Sequence, residues 1–312
     1  MLNQSSSKIA VLLAAYNGEK YIADQLDSII EQRNISLAVI ISVDKCNDNT
    51  LSIVNRYASN HPELFTILPY GKTYGSAGKN FIRLLCDVDL TPYQYVSFAD
   101  QDDIWFPDKL SRAVAEMQDK NADGYSSNVT AFWESGKTKL VNKSFSQTPF
   151  DFLFESPGPG CTFLFSNALA KSMQAHLLSQ SNKLDSIWLH DWYCYSYARF
   201  NGFRWYIDPI PSMYYRQHGS NEVGANFGWK SFVKRLGVIL TGDGFDKVSK
   251  QAAFIGQEAS LPIKLLNNKN RISMLRLLMI SWQCRRQPLH KVMMSMACLI
   301  FFIKGFPSKG RY

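Results

Sequence analysis

The chain has 312 residues, 46% of them hydrophobic and only 19% charged, which excludes a disordered or low-complexity protein. Its formal charge of +8 is unevenly spread. From Trp229 onward there are 15 Lys and Arg against three acids, a net of +12, while the first 228 residues carry 19 bases and 23 acids, a net of −4. The length suits one large domain, or one domain with an appendage. Six scattered cysteines without a C-x-x-C pair point to a reducing compartment, with the cytosol as the expectation, and against a Cys-ligated metal cluster. The polar start Met1–Lys8 shows no secretory signal, and the longest apolar run, Val292–Ile303, has 12 residues, fewer than the ~18 of a spanning helix.

The first 125 residues alternate between short apolar runs and helical periodicity. Ile9–Ala15 and Ala38–Val43 read as buried parallel strands. Between them Tyr21, Ile22, Leu26, Ile29 and Ile30 recur at helical spacing after the turn-like Asn17-Gly18. A helix is predicted over about 49–59, a strand near 65–68, a helix over about 77–86 and a strand at 95–98. Pro107 is predicted to open a further helix running to about Lys120. This order implies a parallel sheet covered by helices on both faces. Farther on, Glu155–Gly160 reads as a loop, Cys161–Phe165 as a strand, Asn167–Ser179 and Leu189–Phe200 as helices, and 205–207 and 213–215 as short strands.

The basic tail interleaves its charges with Leu275, Leu277, Leu278, Met279, Ile280 and Trp282 before Arg285 and Arg286, and a second apolar stretch runs from Pro288 to Lys304. Basic and strongly apolar together read better as an interfacial membrane helix than as a nucleic-acid arm. Packing of this tail on the main domain is the alternative. The expected organisation is a main α/β domain over residues 1–228 and a basic, amphipathic helical region over 229–312.

Ligands of open α/β sheets bind beyond the carboxyl ends of the strands. The segments found there are Ala15-Tyr16-Asn17-Gly18, Asp44–Thr50 and Asp100-Gln101-Asp102-Asp103. Two carboxylates flanking one residue after a buried strand make an oxygen site for Mg²⁺ or Mn²⁺; an acidic turn or helix cap ahead of Pro107 is the plainer reading. No G-x-G-x-x-G follows the first strand. The stretch GKTYGSAGKN lacks the Gly at 73 and the Ser or Thr at 80 that a P-loop ending in Gly78-Lys79 would need, which disfavours kinase-type and dehydrogenase chemistry.

VLLAAYNG, the Asp44–Thr50 segment, GSAGKNF, FADQDDIWFPDKL, PGCTFLF, LHDW and YYRQHGSNEVG together resemble the inverting family 2 glycosyltransferases of the GT-A fold, an α/β nucleotide-diphospho-sugar transferase architecture. The nearest subgroup is similar to the bacterial rhamnosyltransferases that build surface polysaccharides. The resemblance spans about residues 8–225 and implies roles residue by residue. Ala15 and Tyr16 would flank the donor base, Asp44 would hydrogen-bond the pyrimidine, and Asn17, Asn80, Asp100 and Gln101 would complete the nucleotide site. Asp100 and Asp102 would be the D-x-D pair, with Asp102 nearest a Mg²⁺ or Mn²⁺ and His218 closing over the diphosphate and touching the metal. Asp191, in His190-Asp191-Trp192, would be the catalytic base, and Gly160, Cys161, His190 and Trp192 would face the acceptor. An acid at the start of a helix is also what the helix dipole favours, so Asp191 has a structural reading beside the catalytic one.

Where the family has two adjacent acids and a glycine, this chain has Val43-Asp44-Lys45-Cys46, which keeps the second acid. A catalytically degenerate sugar-binding homologue is therefore one alternative, and a sugar nucleotidyltransferase, which would also use acids after parallel strands, is another. The Q-x-x-R-W signature of processive synthases does not match Arg204-Trp205, so one sugar per binding event is expected. The resemblance further implies a nucleotide-sugar donor (dTDP-L-rhamnose or a UDP-hexose), a lipid-linked glycan acceptor in O-antigen or capsule synthesis, and a cytoplasmic enzyme peripheral on the inner face of the plasma membrane.

Overall fold

The computed structural model describes residues 7–218 and 242–306. These fall into two compact units, the first made of 7–144, 157–181 and 201–218, the second of 145–156, 182–200 and 242–306. The chain thus divides differently from a single break at 228. Residues 145–156 and 182–200 join the C-terminal helices, and the expected boundary itself, with the string from Gly219, lies outside the described residues.

The first unit is built on a seven-stranded sheet. Its strands are β1 (Lys8–Ala15), β2 (Ser36–Val43), β3 (Phe65–Ile67), β4 (Tyr95–Ala99), β6 (Gly124–Ser127), β9 (Leu164–Ser166) and β10 (Trp205–Asp208), in the order β10-β6-β9-β4-β1-β2-β3. All pairs are parallel except those of β9, which runs antiparallel to both β4 and β6. Every residue of β1 from Ile9 to Ala15 is buried, because a strand between two parallel neighbours is covered on both faces. The helices α1 (Ile22–Ile30), α2 (Thr50–Asn60), α3 (Ala77–Asp87), α4 (Lys109–Asp119) and α5 (Asn167–Ser179) accompany this sheet. Helix α1 buries Ile22, Leu26 and Ile29 on one face, each contributing roughly 1.5–3 kcal/mol.

Three local expectations change. Helix α4 starts at Lys109 rather than Pro107, because Phe106 O accepts from Lys109 N at 3.0 Å and Pro107 occupies the second position of that turn, where its fixed φ fits. Cys161 lies in a one-turn 3₁₀ segment, Gly160–Thr162, ahead of β9. A second, four-stranded sheet of β5 (Ile104–Trp105), β11 (Met213–Gln217), β7 (Val129–Trp133) and β8 (Thr138–Val141), in the order β5-β11-β7-β8, was expected only in its 213–215 strand. The glycine-rich 71–80 stretch is irregular up to Ser76 and helical from Ala77: Gly71 and Gly75 have φ of +118° and +83°, and Ser76 Oγ caps α3 by accepting from Lys79 N.

The second unit contains α6 (His190–Phe200), α7 (Asp243–Phe254), α8 (Leu261–Asn268), α9 (Arg271–Ile280) and α10 (Pro288–Lys304). Its interior holds charge. Asp151, fully buried, accepts from Tyr195 Oη at 2.6 Å and Arg286 Nη1 at 2.7 Å, with Arg199 Nη1 at 3.3 Å. Burial alone would raise the Glu155 pKa, but His290, Arg286 and Arg285 together bring it down to about 2. A depressed carboxylate stabilises the fold above its unfolded value and loses that contribution as pH falls. Acid unfolding between about pH 4.5 and 2 is therefore expected to be shallower in Glu155→Gln. At neutral pH the variant is expected to be less stable by about 3 kcal/mol, from the shift at 1.36 kcal/mol per unit. Denaturant titrations across pH check both.

Candidate active site

The carboxyl ends of β1, β2 and β4 bring three loops together, and side chains bind them. Ala15 O accepts from Asp44 N at 2.8 Å, so the ladder between β1 and β2 continues to Asp44. The Asp44 carboxylate is buried and accepts from Lys45 N (2.8 Å), Tyr74 N (2.9 Å) and Gly75 N (3.0 Å). It anchors the segment after β3, a task the sequence did not reveal. A carboxylate has about four acceptor positions, and these bonds take three of them. Asn17 adopts φ +45°, which Asn tolerates better than most residues. Its N donates to Cys46 Sγ, and its Oδ1 accepts from Asn47 N at 3.1 Å. Tyr16 is 54% exposed. Tyr70, another exposed aromatic of these loops, is held by Cys46 N donating to its hydroxyl at 3.0 Å.

Gln101 fixes Tyr16 by pairing with both its backbone groups: Tyr16 N donates to Oε1 at 2.7 Å and Nε2 donates to Tyr16 O at 2.8 Å. Gly18 leaves the space this needs, since a Cβ there would stand 2.3 Å from Gln101 Oε1. Gly18→Ala is expected to expel the amide and cost about 1–2 kcal/mol, the worth of two hydrogen bonds, measurable by denaturant titration. Asn80 is not brought to the loops. It is buried, its Nδ2 donates to Ser42 O at 3.0 Å and its Oδ1 accepts from the Ser42 hydroxyl, so its amide ties α3 to β2.

In the acidic loop Asp102 Oδ2 lies 2.6 Å from His218 Nε2, and the His218 ring packs on Tyr21 with centroids 5.0 Å apart. Arg216, one strand residue before Gln217, organises this loop from β11. Its Nε donates to Asp102 O at 2.7 Å, its N to Asp103 Oδ1 at 3.1 Å and its Nη2 to Asp24 Oδ2 at 2.9 Å. The guanidinium sits over Tyr21 and Phe132. Nothing in the sequence singled out Arg216 beyond its place in the YYRQH string.

Beneath lie two buried titratable groups. Asp103 is fully buried, and burial followed by the charges of Asp102 and Asp100 pushes its carboxyl well above the usual carboxylate range. Lys109 is buried with its Nζ 3.7 Å from the Trp105 ring centre, and burial pulls its ammonium down to about 8.

Two donor sets are candidates for a divalent ion. Asp100, Asp103 and Cys161 have ligand atoms within 4.8 Å of one another. Burial drives the Cys161 thiol well above its ordinary value, however, and a neutral thiol is a poor partner for a hard cation. The carboxylate of Asp102 facing the imidazole of His218 fits Mn²⁺ or Mg²⁺ better, with Asp100 half-buried on the same loop.

The expected acceptor residues are redistributed. Cys161 is fully buried, and Gly160 is buried in its 3₁₀ turn, so neither presents a surface. Trp192 is 4% exposed and its Nε1 donates to Phe152 O at 2.9 Å, which makes it core of the second unit. The exposed aromatic nearby is Trp188, 51% exposed, edge-on to Trp192 and capped by Lys247 Nζ 3.7 Å from its ring centre. The sequence reading passed over it. His190 and Asp191 are half-buried at the start of α6, and Asp191 Oδ1 accepts from Trp192 N at 2.6 Å.

A mainly parallel sheet whose strand ends carry an exposed tyrosine loop, a buried carboxylate and an Asp–His pair defines the GT-A class of nucleotide-sugar transferase. The profile of the family described as "Glycosyl transferase family 2" matches residues 10–167. Over 280 residues the chain is 41% identical to dTDP-rhamnosyl transferase RfbG of Shigella flexneri, covering 90% of this chain and 96% of that protein. The chain belongs to glycosyl transferase family 2 and is a glycosyltransferase, which displaces the nucleotidyltransferase alternative. Similar folds include S. aureus TarS 1-349 in complex with UDP-GlcNAc (TM-score 0.53, 17% identity, 89% of this chain and 81% of that one). Another is the mannosyltransferase PcManGT from Pyrobaculum calidifontis in complex with GDP-Man and Mn²⁺ (TM-score 0.52, 15% identity, 96% and 88%).

Proposed function

We propose that the chain transfers one sugar, with inversion, from a nucleotide donor to a lipid-linked glycan acceptor at the inner face of the plasma membrane, in the synthesis of a bacterial surface polysaccharide. The observation that carries this reading is the Asp102–His218 pair on the Asp100–Asp103 loop, at strand ends where the Asp44 and Tyr16 loops converge. The donor proposed first is dTDP-L-rhamnose, supported by the 41% identity to a dTDP-rhamnosyl transferase; a UDP-hexose is second. Ala15, Tyr16, Asn17 and Asp44 would hold the nucleotide, with Gln101 fixing Tyr16. Asp102 and His218, with Asp100, would hold Mg²⁺ or Mn²⁺, which when bound supplies charge stabilisation at the departing diphosphate.

Asp191 would accept the proton of the acceptor hydroxyl as that oxygen bonds to the anomeric carbon. The bond from this carbon to the diphosphate oxygen breaks, and its electron pair leaves with the nucleoside diphosphate. His190 would position the acceptor, and Trp188, in place of Trp192, would offer it an aromatic face.

The degenerate alternative rests on Val43 and Lys45. Val43 is a buried strand residue, and Lys45 is exposed and absent from the positive-φ positions, so neither disturbs the Asp44 anchor. The test is a thermal-shift and turnover screen of dTDP-rhamnose, UDP-glucose, UDP-galactose, UDP-N-acetylglucosamine and GDP-mannose, each with and without Mn²⁺ or Mg²⁺. Metal-dependent stabilisation by dTDP-rhamnose is expected, and silence with every donor would favour the degenerate homologue.

A further inference from the structure

Helices α9 and α10 each bury one apolar face and expose another. On α9, Met274 and Leu277 are buried while Ile272, Leu275 and Met279 are exposed, and Trp282 continues that row in the turn that follows. On α10, Met293, Met294, Ala297, Cys298 and Phe301 are buried while Leu289, Val292, Met296, Leu299 and Ile303 are exposed. The second row steps by three and four residues throughout, which makes it a continuous stripe. Met279 is 78% and Ile303 60% exposed.

The helices are joined by a hydrogen bond between Ser281 Oγ and Ser295 Oγ at 2.7 Å, and Lys291 Nζ lies 5.7 Å from the Trp282 ring centre. The end of the first row therefore lies beside the start of the second. A soluble monomer rarely leaves so much contiguous apolar surface to water.

Charge decides what covers it. After Glu258 the remaining 54 residues contain ten Lys and Arg and no Asp or Glu. Arg285 and Arg286 are spent on Glu155 and Asp151, but Lys264, Arg271, Arg276 and Lys304 are exposed. A symmetric pairing with a second copy would set these cations against themselves, whereas an anionic bilayer would neutralise them. Among the described residues no helix is long and apolar enough to cross a membrane.

We infer that the α9–α10 face lies in the surface of an anionic phospholipid bilayer, its nine exposed apolar side chains inserted at the acyl boundary and its Lys and Arg at the headgroups. This deepens the membrane-surface part of the proposed function by naming the face and the lipid chemistry.

The test is flotation of the full chain with vesicles of phosphatidylethanolamine and phosphatidylglycerol (3:1), or of phosphatidylcholine alone. The protein is expected to float with the first and not the second, and to be released by salt. Arg271→Gln, Arg276→Gln and Lys304→Gln together should weaken binding on the order of 10²-fold, each cation near such a surface contributing about fivefold. Met279→Gln, Met296→Gln and Ile303→Gln should abolish it. Light scattering on the same samples reads oligomeric state. Failure to float, flotation indifferent to both triple variants, or a dimer that only the apolar variant dissolves would each overturn the inference. Donor turnover without vesicles, unchanged in both variants, separates this outcome from a failure of the transferase reading.

Discussion

Asp191→Asn is expected to slow sugar transfer by about 10²–10⁴-fold, the usual contribution of a positioned general base, while leaving nucleotide affinity within about twofold. The acceptor hydroxyl is a very weak acid, so attack on the anomeric carbon needs a base to take its proton as the new bond forms. Asparagine keeps an oxygen able to accept from Trp192 N, the 2.6 Å bond that places Asp191 in the first turn of α6, so the fold should survive. The nucleotide is proposed to be held by Ala15, Tyr16, Asn17 and Asp44 and not by Asp191, which is why binding and rate should separate. Transfer by the variant within a fewfold of wild type would remove Asp191 from the chemistry and leave it as a helix-terminal acid.

Asp102→Asn should have the second largest effect. Its carboxylate faces His218 Nε2, and losing the negative charge leaves the Asp100 carboxylate, a neutral amide oxygen and one imidazole nitrogen to hold a dication. Mn²⁺ affinity, read by titration with the nucleoside diphosphate present, should fall at least tenfold. Transfer should fall by about 10²-fold, a few kcal/mol of charge stabilisation lost at the diphosphate. Asp103→Asn makes the contrast, because Asp103 lies under the loop bonded to Arg216 N; its loss should appear in stability first. Transfer unaffected by EDTA would refute the metal assignment of Asp100, Asp102 and His218.

The pattern of errors along the chain has a physical origin. The strands before 100 were legible because central parallel strands are apolar on both faces, as Ile9–Ala15 shows. The Gly124–Ser127 strand, GYSS, is fully buried yet mostly polar, so neither apolarity nor alternation marks it. Trp192 was singled out because it adjoins Asp191 in sequence, and Trp188 was passed over. Helix α6 buries every residue from Trp192 to Ala198, and a helix covered on all sides gives no periodicity from which to tell core from surface. Gly18 was read as a turn residue, but the close approach of Gln101, 83 positions away, is what requires it.

The sequence by itself determined the βα alternation, the three strand-end segments, two of them acidic, and the acid-poor basic tail, because each is written in short-range periodicity and composition. Only the tertiary structure decided that Arg216 holds the acidic loop, that Lys109, Asn80 and Cys161 are interior, that Asp191 belongs with the C-terminal helices, and which residues of α9 and α10 are exposed. Those outcomes depend on pairings such as that of Arg216 with Asp102, 114 residues apart. Such pairings follow from packing of the whole chain rather than from any local pattern.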